Sequence, residues 1–364
     1  MAIFKLKKLN SAFYTELLNS MSDLVRVVDK NNMVLYENDE LARTFGKTLD
    51  KKCFETLCEG DFCKGCALYQ KKKRQRFKKR SGETVVKDRT YSVVVSPINV
   101  SLWERGAVEV FRDVTQETRL KNRMLARNRK MVNDLEVART LQLSILRDQM
   151  PDHTGYRFRS VFMPCETLGG DMFDCFNIRD NKVAMYIADV SGHGVMSAML
   201  TVYLRQEIFS QFKASQTPDG VLSGLSVSFN DLNIEGSLYI TVFLLVLDLA
   251  TGEFTYTNAG HSVAPLLYDG ETVEEIISPG LPISNWSAQP EFAVRTGMLN
   301  PGGRILLYTD GLDKIHEDAL TLDGLKQQLK LKTVAGTQLL NRIIYKYAIN
   351  RADDITLLMV EREK

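Results

Sequence analysis

Residues 182–200 read KVAMYIADVSGHGVMSAML and combine an apolar run, a glycine-rich corner and a second apolar run. The first run has the length of a buried strand, and the continuation SAMLTVYLRQEIFSQF is typical of a helix. Gly192 and Gly194 let the backbone turn closely between the two, shortly after Asp189. Further strand-like runs and helical stretches follow, and this pattern predicts an α+β sandwich in which helices cover sheets.

The composition limits the class of protein. The chain has 364 residues, of which 44% are hydrophobic and 25% are charged, as in a soluble protein of two domains. A net charge of +2 gives no reason to expect a nucleic-acid partner. The N-terminal MAIFKLKKLN lacks the apolar core of a signal peptide, and the longest apolar run, Tyr239 to Leu247, is far shorter than the ~20 residues of a membrane helix. We therefore expect a cytoplasmic protein without a membrane partner.

Four aspartates stand beside strand-like runs in the second half of the chain. They occur in LGGDMFDCF, IADVSG, LYTDGL and ADDITLL, and are Asp171, Asp189, Asp310 and Asp353. A single Asp beside Gly is typical of a turn. Four such acids in one domain indicate instead carboxylates that leave different strands and converge, an arrangement that suits Mg²⁺ or Mn²⁺. The same region has no HExxH or CxxC pattern, so a zinc site of that kind is not expected there.

The order of these motifs resembles that of the PPM metal-dependent protein phosphatases, the protein phosphatase 2C superfamily, and especially its bacterial branch of RsbU and SpoIIE type. The resemblance covers about residues 135–364 and rests on five separated motifs: LGGDMFDCF, IADVSGHGVMSAML, TVFLLVLDLATGEFTYTNAGHSVAPLLY, LLYTDGL and ADDITLLMV. It implies that residues 150–364 form a PPM-type domain with the α-β-β-α sandwich of that family.

The resemblance also implies the site and its chemistry. Asp171 and Asp189 match the first two metal-binding aspartates, with Asp189 bridging two ions, and the carbonyl of Val190 matches a backbone ligand. Asp310 and Asp353 match the acids of the TDG motif and of the DD-(I/M)-T motif. Two Mn²⁺ or Mg²⁺ ions would activate a water that attacks the phosphorus of phosphoserine or phosphothreonine. No protein nucleophile is needed, in agreement with the absence of a Cys-x₅-Arg pattern.

These features predict a protein serine/threonine phosphatase, a phosphoric monoester hydrolase of signal transduction. By resemblance, its substrate is a phosphorylated STAS-type antagonist of an anti-sigma factor. A catalytically inactive scaffold that binds phosphoproteins is the alternative from another class, and retention of all four aspartates argues against it. A metal-dependent phosphodiesterase or nuclease is disfavoured by the charge of +2. His193 and His261 are candidate general acids, but we interpret both as loop residues that bond backbone groups.

Residues 13–115 have the order of elements of a small sensor domain. SDLVRVVDKNNMVLYEND predicts a hairpin, LARTFG predicts a short helix closed by Gly46, and RTYSVVVSPINV and GAVEVFRDVT predict strands. This order resembles an α/β PAS domain, and EVFRDVTQETRLKNRML resembles the exit of such a domain into a signalling helix. We therefore predict a PAS-like sensor that regulates the phosphatase.

Residues 116–149 are predicted to form a long linker helix. Residues 116–147 contain no glycine or proline, and an apolar stripe follows one face of the helix: Leu120, Met124, Met131, Leu135, Ala138 and Ile145. A ~30-residue helix is ~45 Å long, more than one small domain can cover. The helix either packs on a neighbouring domain or pairs with a second chain as a parallel coiled coil. We favour the homodimer, although Arg127 and Asn128 interrupt the stripe.

A cysteine cluster lies within the predicted sensor. Its members are Cys53, Cys58, Cys63 and Cys66, in the spacing C-x₄-C-x₄-C-x₂-C. Four thiols this close can hold Zn²⁺ or an iron–sulfur cluster, whereas the alternative is that only the last two cooperate or that all are free. The basic run KKKRQRFKKR at 71–80 is interpreted as a solvated loop or a contact for an acidic partner.

Overall fold

A computed structural model describes residues 11–56, 80–100, 104–146, 150–192, 194–234, 238–286, 290–312, 322–331, 336–347 and 353–364. The chain divides into two compact units, Met1–Lys130 and Met131–Lys364. Within the described ranges, no helix combines the length and the apolar character needed to cross a membrane. The domain limits expected from the sequence, 13–115, 116–149 and 150–364, stay predictions.

The first unit is built on one antiparallel sheet of five strands in the spatial order β2-β1-β5-β4-β3. The strands are β1 (Leu24–Asp29), β2 (Val34–Glu37), β3 (Arg80–Val86), β4 (Arg89–Asn99) and β5 (Arg105–Asp113). The helices that accompany them in the chain are α1 (Ser11–Asn19), α2 (Asp39–Phe45) and α3 (Cys53–Thr56). A fourth helix, α4 (Thr115–Leu146), begins in the first unit and ends in the second.

Local sequence explains how this sheet begins. β1 and β2 form an antiparallel hairpin, and Asn32 in the connecting turn adopts a φ of 67°, a conformation that asparagine tolerates. Asn38 caps α2 by accepting a hydrogen bond from the backbone N–H of Leu41, and Gly46 ends the helix with a φ of 80°. The predicted hairpin, short helix and helix end are thus confirmed. The PAS-like character of the unit stays a prediction.

The second unit contains two sheets. Sheet I has the order β14-β10-β9-β8-β7 with β13 paired to β9, and sheet II has the order β12-β11-β15-β16-β6. The strands are β6 (Tyr156–Met163), β7 (Asp171–Asn177), β8 (Lys182–Val190), β9 (Tyr239–Asp248), β10 (Glu253–Ala259), β11 (Leu266–Tyr268), β12 (Val273–Glu275), β13 (Ile283–Ser284), β14 (Arg295–Met298), β15 (Arg304–Tyr308) and β16 (Ile355–Arg362). The helices are α5 (Val195–Ala214), α6 (Pro218–Asp231), α7 (Leu322–Leu329) and α8 (Gly336–Tyr347).

The two sheets face each other and carry helices on their outer sides. α5 and α6 pack on strands of sheet I, α8 packs on β6 and β16, and β7 and β8 contact β16 and β15 across the interior. Side chains of β15 alternate accordingly: Ile305 and Leu307 join the core between the sheets, whereas Leu306 and Tyr308 join the core beneath α7 and α8. The sandwich predicted from the sequence is therefore confirmed.

Helix α4 begins at Thr115 and ends at Leu146, so a long helix is present where the sequence predicts one. Its apolar stripe is open to solvent in the chain: Leu120 is 58% exposed, Met124 is 73% exposed and Met131 is 62% exposed. Near its end the character changes, because Gln142 and Leu146 are buried in the second unit. The roles of the helix as a linker and as a dimer contact stay predictions.

Candidate metal centre

The four predicted aspartates lie at strand ends of the second unit. Asp171 is the first residue of β7 and pairs in register with Asp189, the penultimate residue of β8. Asp310 begins a short 3₁₀ turn two residues after β15, and Asp353 lies two residues before β16. Because β15 and β16 run antiparallel, the end of one and the start of the other share an edge of sheet II.

Hydrogen bonds join the two sheets at this edge. The hydroxyls of Thr309 and Thr356 both donate to Oδ2 of Asp171, over 2.8 and 2.6 Å. Thr309 directly precedes Asp310, and Thr356 follows Asp353 by three residues. The carboxylate at the start of a sheet I strand is therefore held by both acid-bearing segments of sheet II.

Asp171 is buried, with 3% of its surface exposed. Burial raises the pKa of its carboxyl well above the ordinary value, and the negative charge of Asp189 raises it further. The two threonine hydroxyls act in the opposite sense by stabilising the ionised form, whereas the charge of Asp354 adds to the increase. The two charged groups that shift this pKa, Asp189 and Asp354, are both acids, and both raise it.

These residues fit a divalent cation by the chemistry of their oxygens. Two carboxylates opposed across adjacent strands, one of them buried, repel each other unless a proton or a cation lies between them. Among the described residues, however, no group of three or more His, Cys, Asp or Glu side chains is close enough to hold an ion as it stands. The structure thus pairs Asp171 with Asp189 and brings the segments of Asp310 and Asp353 to their edge.

Close backbone approaches show how tightly these segments meet. A Cβ on Gly311 would lie 1.8 Å from the carbonyl oxygen of Asp354, so the TDG turn can pack there only with glycine. A Cβ on Gly170 would lie 3.0 Å from the carbonyl oxygen of Val190, which places that predicted backbone ligand beside the start of β7. The assignment of Val190 and of the four aspartates as ligands stays a prediction.

Sequence reasoning missed the role of Asp354. Its Oδ2 accepts hydrogen bonds from the backbone N–H groups of Gly170 and Asp171, over 2.6 and 3.2 Å, and its Oδ1 accepts one from Cys165 over 2.8 Å. The side chain is buried, with 5% exposed. Asp354 therefore fixes the loop that leads to Asp171, while Asp353 next to it stays at the edge of the strand. The sequence offered one signal for this role, namely that a second acid, Asp354, stands directly before the apolar strand β16.

Two further side chains complete the surroundings. Gln142 of α4 accepts a hydrogen bond from the backbone N–H of Gly169 and donates one to its carbonyl oxygen, over 3.2 and 2.8 Å. His261 bonds the carbonyl oxygen of Tyr308, as predicted for a loop histidine, and burial lowers the pKa of its imidazole. His193 lies outside the described residues.

The cysteine cluster is described only at its first member. Cys53 begins α3 and is buried among the apolar residues of the first unit, with 5% exposed. Cys58, Cys63 and Cys66 lie outside the described residues, as does the basic run up to residue 79. A metal ion or iron–sulfur cluster at these cysteines stays a prediction.

Comparisons with known proteins agree with this fold. The model of the stage II sporulation protein E (SpoIIE) family matches residues 179–363. The phosphoserine phosphatase RsbP of Bacillus subtilis is 26% identical over 238 residues, which are 63% of this chain and 57% of that protein. RsbU of the same organism, also named a phosphoserine phosphatase, is 22% identical over 241 residues, 64% of this chain and 70% of that protein. The protein IcfG of Synechocystis is 25% identical, over 41% of its own length. The chain thus spans about half the length of the first of these curated relatives.

Solved structures show the same fold. The SiaA-PP2C domain of Pseudomonas aeruginosa superposes with a TM-score of 0.55 at 21% identity, covering 66% of this chain and 99% of that one. The RsbU and RsbW domains of a Mycobacterium tuberculosis protein superpose with a TM-score of 0.50 at 26% identity, covering 57% of this chain and 62% of that one.

Proposed function

The chain belongs to the SpoIIE family, and from that premise we propose that it is a metal-dependent protein serine/threonine phosphatase. The names of RsbP and RsbU support hydrolysis of phosphoserine. The observation that carries the proposal is the opposed pair of buried Asp171 and half-buried Asp189, at the edge where the Asp310 turn meets the start of β16.

The residues that would hold the ions are the four aspartates and the carbonyl oxygen of Val190. Mn²⁺ and Mg²⁺ suit these donors, since both prefer oxygen ligands and keep several waters. When bound, such ions lower the pKa of a coordinated water and neutralise charge on a phosphoryl group.

The threonines prepare Asp171 for this role. Both hydroxyls donate to the same oxygen, Oδ2, so they fix the orientation of the carboxylate and favour its ionised form despite burial. Asp354 adds a second support by holding the backbone N–H of Asp171. A carboxylate held from its side chain and its backbone loses little freedom when a cation binds.

We further propose that the substrate is a phosphorylated STAS-type protein, because the motifs resemble the RsbU type and two relatives of Rsb type carry the name phosphoserine phosphatase. The inactive scaffold is the competing function. The scaffold and the phosphatase differ in one observable: a scaffold binds the phosphoprotein without releasing phosphate.

Regulation is proposed to pass through α4. Gln142 of this helix bonds both backbone groups of Gly169 and also donates to the hydroxyl of Thr201 in α5, over 3.1 Å. Gly169 stands two residues before Asp171, so a displacement of α4 acts directly on the loop that positions the carboxylate. The exposed stripe around Met124 and Met131 supports pairing of α4 with a second copy of the chain.

The test is Mn²⁺-dependent release of phosphate from a phosphoserine protein by the full chain. Asp171→Asn and Asp310→Asn are expected to abolish release. Asp174→Asn is the matched control on the same strand, because the Asp174 carboxylate bonds Arg205 of α5 over 2.8 Å and lies on the opposite face of β7. Undiminished release by the first two variants would refute the proposed site, and binding of the phosphoprotein without release by the wild type would favour the scaffold.

A further inference from the structure

His261 lies between the two sheets at the edge that carries the candidate metal centre. His261 lies two residues after the end of β10, in the segment Asn258-Ala-Gly-His261, and 5% of its surface is exposed. Nε2 lies 3.0 Å from the carbonyl oxygen of Tyr308, the last residue of β15 in sheet II. Nδ1 lies 3.5 Å from the hydroxyl of Thr241 on β9 in sheet I.

Each of these contacts leads to a segment that bears a predicted ligand. The Tyr308 carbonyl stands two residues before Asp310. Thr241 pairs in register with Asp189, and its hydroxyl lies 3.3 Å from the carbonyl oxygen of Asp189. The imidazole ring therefore links β9, at the residue paired with Asp189, to the turn of Asp310. Nε2 donates to the Tyr308 carbonyl and Nδ1 accepts from the Thr241 hydroxyl, so the one hydrogen of that hydroxyl is not shared with the Asp189 carbonyl.

The turn that carries His261 is fixed by its own contacts. Oδ1 of Asn258 accepts a hydrogen bond from the backbone N–H of His261 over 2.7 Å, and Nδ2 donates to the carbonyl oxygens of His261 and Ser278 over 3.2 and 2.8 Å. Gly260 has a φ of 73°, and a Cβ there would lie 2.5 Å from the ring of Pro282. The ring is thus presented to the two sheets by a rigid loop.

The hydrogen bonds also decide whether the ring donates a proton to a leaving group or supports the structure of the site. A carbonyl oxygen only accepts, so Nε2 carries a hydrogen and donates to Tyr308. Nδ1 faces the Thr241 hydroxyl, and the ring is buried. Both nitrogens are therefore occupied by the protein, which disfavours transfer of a proton to a leaving group.

We infer that His261 is a positioning residue, which sets the distance between the Asp189 strand and the Asp310 turn so that both can serve one pair of divalent ions. The inference rests on the proposed function and adds to it the element that aligns the two halves of the site. A residue of this kind acts on metal affinity, in the way that partners of metal ligands generally do.

The test compares His261→Gln with His261→Asn in the full chain, using Mn²⁺ alone as the probe in isothermal titration calorimetry. The Gln amide nitrogen reaches about as far as Nε2 and can donate to Tyr308, whereas the Asn amide stops near the position of Nδ1. We expect His261→Asn to weaken Mn²⁺ binding by about tenfold or more, and His261→Gln to stay within about threefold of the wild type. His153→Asn, at a histidine that bonds Asn177, is the control with unchanged affinity.

Phosphate release from a phosphoserine protein separates the remaining outcomes. Recovery of the His261→Asn rate at saturating Mn²⁺ supports positioning. Equal Mn²⁺ affinity in His261→Asn, His261→Gln and wild type overturns the inference and leaves the proposed function standing. A rate that stays low in both variants at saturating Mn²⁺ also overturns it, in favour of a general acid. A wild type that binds no Mn²⁺ and releases no phosphate refutes the proposed function and the inference with it.

Discussion

The adjacent acids Asp353 and Asp354 are expected to have different effects when each is replaced by alanine. Asp353→Ala should abolish the reaction, whereas Asp354→Ala should mainly lower the stability of the fold. Asp354 accepts three backbone hydrogen bonds, two of them from the buried residues Gly170 and Asp171. Asp353 accepts one described backbone bond, from the N–H of Asp354 itself over 2.9 Å, and is half-buried. Among the residues that the structure describes, the two side chains therefore differ in how many buried backbone groups they bond.

The magnitude follows from those bonds. Leaving a buried N–H without its acceptor costs roughly 1–3 kcal/mol, and bonds to a carboxylate lie at the upper end of the range. Asp354→Ala should thus lower the free energy of unfolding by roughly 3–6 kcal/mol, and Asp353→Ala by about 1 kcal/mol. For a unit of this size about 2–4 °C accompanies each kcal/mol, so the midpoint of Asp354→Ala should fall by roughly 6–24 °C.

The assay is thermal and urea unfolding of the full chain, followed by circular dichroism in the presence of a chelator. The chelator matters because bound metal stabilises the folded state by mass action and would mask the comparison. Phosphate release is measured separately at a temperature where both variants are folded, and Asp353→Ala should be inactive there. If both variants unfold at the same midpoint, or if Asp353→Ala is the less stable, the assignment of Asp354 as the structural acid is wrong.

Three further predictions concern other parts of the second unit and α4. Gln142→Ala leaves both backbone groups of buried Gly169 without their partner, so it should cost roughly 2–4 kcal/mol in urea unfolding and slow phosphate release; full activity would argue against transmission through α4. The pKa of the Cys165 thiol is raised to about 11 by partial burial and by Asp354. Its alkylation by iodoacetamide at pH 8 should therefore be about a hundredfold slower than that of an ordinary cysteine, because less of the thiol is ionised, and the rate should rise toward pH 11. Peptide-resolved mass spectrometry measures this rate. Met124→Lys together with Met131→Lys should shift the chain from dimer to monomer in sedimentation velocity if α4 pairs with a second copy, and an unchanged sedimentation coefficient would exclude that contact.

The sequence was sufficient for the elements whose signal is local. Runs such as YITVFLLVL and RILLY are long enough to specify buried strands, and the acids at their ends follow from where each run stops. The strands β3, β6, β12, β13 and β14 were not predicted, and the last three are segments of two to four residues that are too short to show a periodicity of their own. Their place in the sheets is set by the neighbours against which they pair.

The contacts that shape the candidate site join residues that are far apart in the sequence. Thr309 and Thr356 reach Asp171 across separations of 138 and 185 residues, and nothing in the spacing of the chain encodes that meeting. A clue existed in the hydroxyls themselves, because a threonine at the end of an otherwise apolar buried strand needs a hydrogen-bond partner. Identifying that partner required the arrangement of the two sheets.

This arrangement makes the site a property of the sandwich and not of any one motif. Asp171 is tied to sheet II by two threonine hydroxyls, and the loop before it is tied to sheet II by Asp354 and to α4 by Gln142. The same short loop is therefore held from two directions. One set of bonds leads to the other acid-bearing segments, and the other leads to α4, whose first half belongs to the first unit and whose second half belongs to the second. If α4 transmits a signal as proposed, Gly169 and Gly170 are where it reaches the carboxylate, since their backbone groups carry both sets of bonds.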